Sequence, residues 1–331
     1  MRVLAVADTL IGPAAMKEGL SLVPELVQDL TIREWHHDSI AAMQEDNLAV
    51  ELRGPGAIEV PPEIFANIDS FEVIITQFCP ITSSVIEAAK SARVIGVLRA
   101  GVENVDHQAA EARGIHVVNA PGRNANAVAE FSVGLILAET RNITRAQIEM
   151  LNGTWDRRYP NIEAVRELNG SHVGLVGLGQ IGQIVARLLT AFGSRVSYCD
   201  PYTEFAEYPR VSDVGDLAAD VDILSLHTRL TPATRHIISA EVISRMKPSA
   251  VLVNTARSGL VDEPALIKAL ENRQIMGAAI DTFDIEPLPV DSPFLKLDNV
   301  TLTTHLAGTT LDAIKRTPQI LALRLASQLG L

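Results

Sequence analysis

Three residues with side chains able to move a proton or hold an anion each stand at the end of an apolar run or in a turn after one. Arg257 follows VLVNTA directly, Glu286 lies in the turn TFDIEPLP, and His305 ends VTLTTH just before the small residues Ala307 and Gly308. A histidine gives and takes protons near neutral pH. A carboxylate beside it would stabilise the imidazolium, raise its pKa and fix the ring. A guanidinium can fork onto a carboxylate and a neighbouring carbonyl oxygen. Cation, proton donor and tuning carboxylate together are what hydride transfer to the carbonyl of a 2-oxo acid requires. Each residue also has a plainer reading: most histidines sit in cores or on surfaces, most arginines are exposed ion-pair partners, and Asp281 and Glu286 both suit turns.

A second constellation raises the chemical reading. The stretch SHVGLVGLGQIGQIVARLLTAFGSRVSYCDP places Gly177, Gly179 and Gly182 between an apolar strand and a helix that is apolar at Ile184, Leu188 and Leu189. In G-x-G-x-x-G the first glycine makes a tight turn, the second lets backbone approach a pyrophosphate, and the third lets the helix pack close to the strand. The helix N-terminus then offers free N–H groups and partial positive charge to the phosphates. Asp200, at the end of RVSYC, would accept hydrogen bonds from the adenosine ribose hydroxyls and repel a 2′-phosphate, which favours NAD over NADP. Its plainer reading is a turn residue before Pro201. His227 and Thr228 end the run DILSL, where the adenosine half of a dinucleotide would lie.

Positioning these residues takes a sheet whose strands run the same way. VLAVA, VIIT near 73, VIGVL near 94 and HVVN near 116 are short apolar runs separated by amphipathic stretches, the alternation of an α/β fold with a mainly parallel sheet. One helix is expected in VDHQAAEARG, capped by Asp106 and ended by Gly114. Another runs from about Asn126 to Arg141, with Val128, Phe131, Leu135 and Ile136 on a shared face, and carries the chain into a second domain. The polar segment MLNGTWDRRYPNIEAVRELNG is expected to lean Trp155 on a neighbouring subunit or domain. From His172 onward six further strands are expected, enough for a dinucleotide-binding sheet, and DAIKRTPQILALRLASQLG closes the chain as a helix.

With 331 residues the chain fits two domains of ordinary size. A formal charge of −12 makes nucleic acid and anionic membrane surfaces poor partners. Cys79 and Cys199 are too few for a disulfide framework and lack metal-site spacing, which points to no metal and to a reducing compartment, the cytoplasm. No apolar run approaches the roughly 20 residues of a membrane span.

The set GLGQIG, Asp200, NTARSGLVDE, DTFDIEP and THLAG, in this order, resembles the D-isomer-specific 2-hydroxyacid dehydrogenase family, especially its 3-phosphoglycerate dehydrogenase-like branch. The resemblance implies two Rossmann-like doubly wound parallel-sheet domains with a cleft between them. Residues 1–119 with 308–331 would be the substrate domain and 120–307 the NAD-binding domain, assembled as a homodimer. Arg257 resembles the substrate-orienting arginine, Glu286 its acidic partner and His305 the acid/base, while Asp281 resembles the carboxylate that binds the nicotinamide carboxamide. Cofactor contacts are implied at Gln180, Ile181, Thr255, Ala256, His305 and Gly308 as well as at the glycine loop. RAGVENVD resembles the family's carboxylate-binding loop, which makes Arg99, Ala100, Gly101 and Val102 candidate substrate residues. Arg53, Arg99 and Arg123 could serve a phosphate or only solvate a surface. A regulatory domain after the closing helix, and with it serine feedback, is not expected. Formate-oxidising members of the family pair the histidine with an amide, and Glu286 instead favours hydroxyacid chemistry. The alternative on the same fold is an NAD-sensing, corepressor-like binding protein.

Overall fold

Val3, Ala5 and Ala7 of the first strand face one apolar core while Leu4 and Val6 face another, which is why the strand reads as an unbroken apolar run. The computed structural model describes residues 1–331 except 156, 160, 163, 205 and 206. The chain forms two compact units, Met1–Asn124 with Thr309–Leu331, and Ala125–Gly308.

The first unit contains a parallel sheet of β1 (Arg2–Ala7), β2 (Asp29–Glu34), β3 (Val73–Thr76), β4 (Val94–Val97) and β5 (His116–Asn119), in the order β2-β1-β3-β4-β5. Four of these are the expected apolar runs. The additional one, β2, pairs with β1 from Arg2 opposite Asp29 to Ala7 opposite Glu34. As an edge strand it is at most half-buried along its length, so its charged residues hid it in the sequence. The helix expected in VDHQAAEARG spans His107–Ala112, with the Asp106 side chain accepting from the Ala109 N–H at 3.0 Å and Gly114 at a φ of +66°. The closing helix, Leu311–Leu329, sends Leu321, Ala322 and Leu325 into the core that Val3, Ala5 and Ala7 face.

The second unit contains β6 (His172–Val176), β7 (Arg195–Cys199), β8 (Ile223–Leu226), β9 (Val251–Asn254), β10 (Gly277–Ile280) and β11 (Val300–Leu302), all parallel, in the order β11-β10-β9-β8-β6-β7. These are the six runs read from the sequence. Beyond β7 a further strand is reduced to one bridge, Tyr198 to Arg210. The helix expected from about Asn126 spans Ala125–Thr140 and is buried on more than the anticipated stripe, at Ala129, Ser132, Val133 and Glu139 as well as at Val128, Leu135 and Ile136.

The first crossing between units falls after Asn124 rather than near 120. The Ala120 N–H donates to the Arg99 carbonyl at 2.8 Å and the Asn119 amide to the Ala100 carbonyl at 2.6 Å, which ties the NAPG turn to the loop after β4. Trp155 is 83% exposed. Asp156, Pro160 and Glu163 of its segment lie outside the described residues.

Candidate active site

The glycine loop leaves β6 with no room for side chains. Gly177 has a φ of +96°, and a Cβ there would stand 2.7 Å from the His227 carbonyl oxygen. A Cβ on Gly182 would stand 2.4 Å from the Gly177 carbonyl oxygen. Beside Gly179 the space is open, with nothing within 4 Å. The helix Gln180–Ala191 starts there without a side-chain cap, so the N–H groups of its first turn, including those of Gln180 and Ile181, are left for an anion. An open glycine face beside an uncapped helix start fits the pyrophosphate of NAD.

Asp200 serves the loop as well as standing at its edge. Its Oδ2 accepts from the Leu178 N–H at 2.8 Å, and its Oδ1 from Tyr202 and Thr203 N–H groups at 2.8 and 3.0 Å. Burial pushes its pKa up, but these backbone donors outweigh it and hold the carboxyl below its ordinary range. The turn reading of Asp200 is therefore visible in the structure, on a carboxylate that remains half-exposed. The His227 ring bonds Ser225 Oγ at 2.9 Å, and burial pushes its pKa down to about 4, which keeps it neutral. Thr228 beside it is half-buried.

At the end of β9, Asn254 shapes the arginine turn. Its Oδ1 accepts from the Ala256 N–H and its amide donates to the Arg257 carbonyl, both at 3.0 Å. Thr255 is buried with its hydroxyl 2.7 Å from that of Ser132. This clamp leaves Arg257 extended and exposed, its guanidinium touching only the Ala256 carbonyl, at 2.8 Å, among the described residues. Asn254 was missed in the sequence; a polar residue ending an apolar strand was the available signal.

His305 has a φ of +56°, a left-handed conformation that is uncommon for a side chain of its size. Asp281, fully buried after β10, holds the turn in place. Its Oδ1 accepts from the Thr303 hydroxyl at 2.5 Å and the Leu306 N–H at 2.9 Å, and its Oδ2 from the Ala307 N–H at 2.9 Å. Asp281 thus bonds the histidine turn. Gly308, the next residue, is half-buried.

The His305 Nδ1 lies 2.8 Å from Glu286 Oε2, and Glu286 Oε1 accepts from the Phe283 N–H at 2.9 Å. The hydrogen bond to Glu286 raises the pKa of His305, against burial and the nearby Arg257 charge. Burial pushes Glu286 up, but His305 and the Phe283 N–H outweigh it and hold the carboxyl low. Both directions favour an imidazolium–carboxylate pair, with the ring's Nε2 edge on a half-exposed side chain.

In the first unit, Arg99 departs from expectation. It is buried: Nη1 donates to Asn47 Oδ1 at 2.8 Å, Nη2 pairs with Glu51, and the guanidinium lies 5.0 Å from the centre of the Phe78 ring. It braces the loop rather than presenting itself to a ligand. Arg53 is exposed in the last turn of helix Ile40–Arg53. The backbone N–H groups of Ala100, Gly101 and Val102 have no acceptor among the described residues, which leaves them free for a carboxylate. Among the described residues no cluster of three or more His, Cys, Asp or Glu could hold a metal, and no helix is long and apolar enough to cross a membrane.

The profile described as D-isomer specific 2-hydroxyacid dehydrogenase, NAD binding domain, matches residues 133–307. The chain is 40% identical over 309 residues to D-3-phosphoglycerate dehydrogenase of Methanocaldococcus jannaschii, covering 90% of this chain and 56% of that one, so it spans little more than half of this relative's length. It is 40% identical over 261 residues to glyoxylate reductase of Thermofilum pendens, covering 75% of each. A crystal structure of a Thermus thermophilus protein superposes with a TM-score of 0.78 at 31% identity, covering 100% of this chain and 97% of that one. The chain belongs to the D-isomer specific 2-hydroxyacid dehydrogenase family, and residues 133–307 match that family's NAD binding domain.

Proposed function

We propose that the protein is an NAD-dependent oxidoreductase that interconverts a D-2-hydroxy acid and its 2-oxo acid. The observation that carries this reading is the His305–Glu286 pair, at 2.8 Å, on the strand ends of the sheet that bears the glycine loop. NADH, when bound, supplies the hydride. His305 gives its Nε2 proton to the carbonyl oxygen during reduction and takes it back during oxidation. Glu286 keeps the ring oriented and favours its protonated form. Arg257 orients the substrate by its carboxylate and carbonyl. Asp200 meets the adenosine ribose and disfavours a 2′-phosphate.

The test is NADH oxidation by the purified protein against glyoxylate, hydroxypyruvate, phosphohydroxypyruvate and longer sugar-derived 2-oxo acids. Turnover of at least one is expected, with a loss on the order of 10²–10⁴-fold in His305→Ala. Near wild-type turnover in a folded His305→Ala, or NADH binding without any turnover, would end the reading.

The protein is further read as a cytoplasmic homodimer. Helix Ile143–Leu151 buries no residue of its own, and Ile143, Ile148, Met150, Leu151 and Trp155 are all exposed, an apolar surface suited to a second copy. Light scattering should give twice the chain mass, and Ile148→Glu with Leu151→Glu should give a monomer.

A further inference from the structure

At the carboxyl end of the first unit's sheet, all five strands lead to a polar side chain: His37 after β2, Asp8 after β1, Gln77 after β3, Arg99 after β4, and Arg123 in the turn after β5. The winding reverses between β1 and β3, and ligands of open parallel sheets seat at such reversals. Asp8, 2% exposed, is already satisfied there. Its Oδ1 accepts from the Leu10 and Ile11 N–H groups, both at 2.9 Å, and the Gln77 amide, turned to donate, lies 3.2 and 3.1 Å from Oδ1 and Oδ2.

Arg99 is committed to Asn47, Glu51 and Phe78. Arg123 is committed to nothing: among the described residues no acceptor lies within hydrogen-bonding or ion-pairing distance of its guanidinium. It is half-buried, and burial, together with the Arg99 charge, lowers its pKa to about 10 against the pull of Asp8. Its five donors have no protein acceptor among the described residues, and an anionic ligand at this half-buried place would answer them. His37, its side chain 7% exposed, pairs through Nε2 with Asp46 Oδ2 at 3.3 Å and leaves its Nδ1 buried without a partner. The bonds from Ala120 to Arg99 and from Asn119 to Ala100 fix the Arg123 turn beside the loop whose Ala100, Gly101 and Val102 N–H groups are free.

We propose that Arg123 is a specificity-determining residue, which binds a second anionic group, a phosphate monoester or a carboxylate, on an acid whose own carboxylate is held by the Ala100–Val102 backbone. The proposal rests on the dehydrogenase reading above. Asp8 competes with such an anion for Arg123, and the charge of Arg99 is balanced by Glu51.

The experiment measures kcat/KM for NADH-dependent reduction of hydroxypyruvate, phosphohydroxypyruvate and oxaloacetate by the wild type, Arg123→Gln, Arg123→Lys and Asp8→Asn. In Arg123→Gln the preference for a charged far end over hydroxypyruvate should fall by about 10–100-fold, the size of a charge-assisted hydrogen-bonded pair, with partial recovery in Arg123→Lys. Asp8→Asn should raise that preference, which keeps the test alive if Arg123→Gln does not fold. Loss confined to phosphohydroxypyruvate identifies a phosphate, and loss confined to oxaloacetate a carboxylate. Equal effects on all three acids, or an unchanged preference in both Arg123→Gln and Asp8→Asn, overturn the proposal and leave the dehydrogenase reading standing. Failure to turn over any of the three or glyoxylate removes both.

Discussion

His305 and Glu286 meet Nδ1 to Oε2 at 2.8 Å, and Asp281, which never touches the ring, holds the turn on which the ring stands. Two carboxylates thus act on one imidazole, one on its charge and one on its backbone, and the two roles can be separated by experiment.

Glu286→Gln removes the charge while keeping an acceptor for Nδ1. The Glu286 bond raises the pKa of His305, so the imidazolium persists to higher pH than an ordinary histidine allows. Reduction consumes the protonated ring, so its rate is full below that pKa and falls as pH rises through it. Oxidation behaves in mirror image. In Glu286→Gln the alkaline limb of the reduction profile should move to lower pH, read from kcat/KM against pH. An unmoved limb would show that the pair does not set the proton.

Asp281→Asn acts on the turn instead. An amide offers one acceptor where the carboxylate offers two, so one of the Leu306 or Ala307 N–H groups, or the Thr303 hydroxyl, loses its partner in a fully buried place. Leaving such a donor unsatisfied costs about 1–3 kcal/mol. Urea unfolding should show that loss in Asp281→Asn and a smaller one in Glu286→Gln, whose pair with His305 is half-exposed. Equal stabilities would mean that the turn does not depend on Asp281.

The glycine loop separates folding from binding in the same manner. A Cβ at Gly182 meets the Gly177 carbonyl oxygen at 2.4 Å, whereas a Cβ at Gly179 meets nothing within 4 Å. Gly182→Ala should lose both stability and NADH affinity. Gly179→Ala should change stability by less than about 0.5 kcal/mol yet weaken NADH binding by roughly tenfold or more, because the added methyl faces only the ligand. Fluorescence titration with NADH beside a melting curve reads both. A Gly179→Ala protein that binds NADH as the wild type does would show that no phosphate approaches this face.

What the sequence made legible follows from what a linear pattern can encode. Strands buried on both faces announce themselves as VIIT or VLVN, and a glycine triplet between such a strand and a helix has few other uses. The edge strand DLTIRE carries no such pattern, because only one side of it is paired. Charged side chains were legible as candidates and not as partners. Arg99 looked like a substrate residue until Glu51, 48 positions earlier, was found on its guanidinium. Asp281 was legible as a carboxylate at a strand end, and its hydrogen bonds to residues more than twenty positions later were not. Asp8 and Arg123 gave no signal together, since over a hundred residues separate two groups that the sheet brings near each other.

Asp8 also leaves a mark on stability. Burial raises its pKa from 3.8 to about 6, against the Leu10 and Ile11 N–H groups and the charges of His37 and Arg123. A carboxyl whose folded pKa is raised contributes stability that is fully present below its unfolded value, near 4, and lost as pH rises through about 6. Above that, the ionised, buried carboxylate costs up to about 3 kcal/mol, two pKa units at 1.36 kcal/mol each. Asp8→Asn keeps an acceptor for the Leu10 and Ile11 N–H groups and cannot ionise. The variant should therefore be more stable than the wild type at pH 7.5, with the difference shrinking through pH 6 and closing toward pH 4. Urea unfolding at several pH values measures it. A difference that stays constant with pH would mean that Asp8 does not titrate in this range.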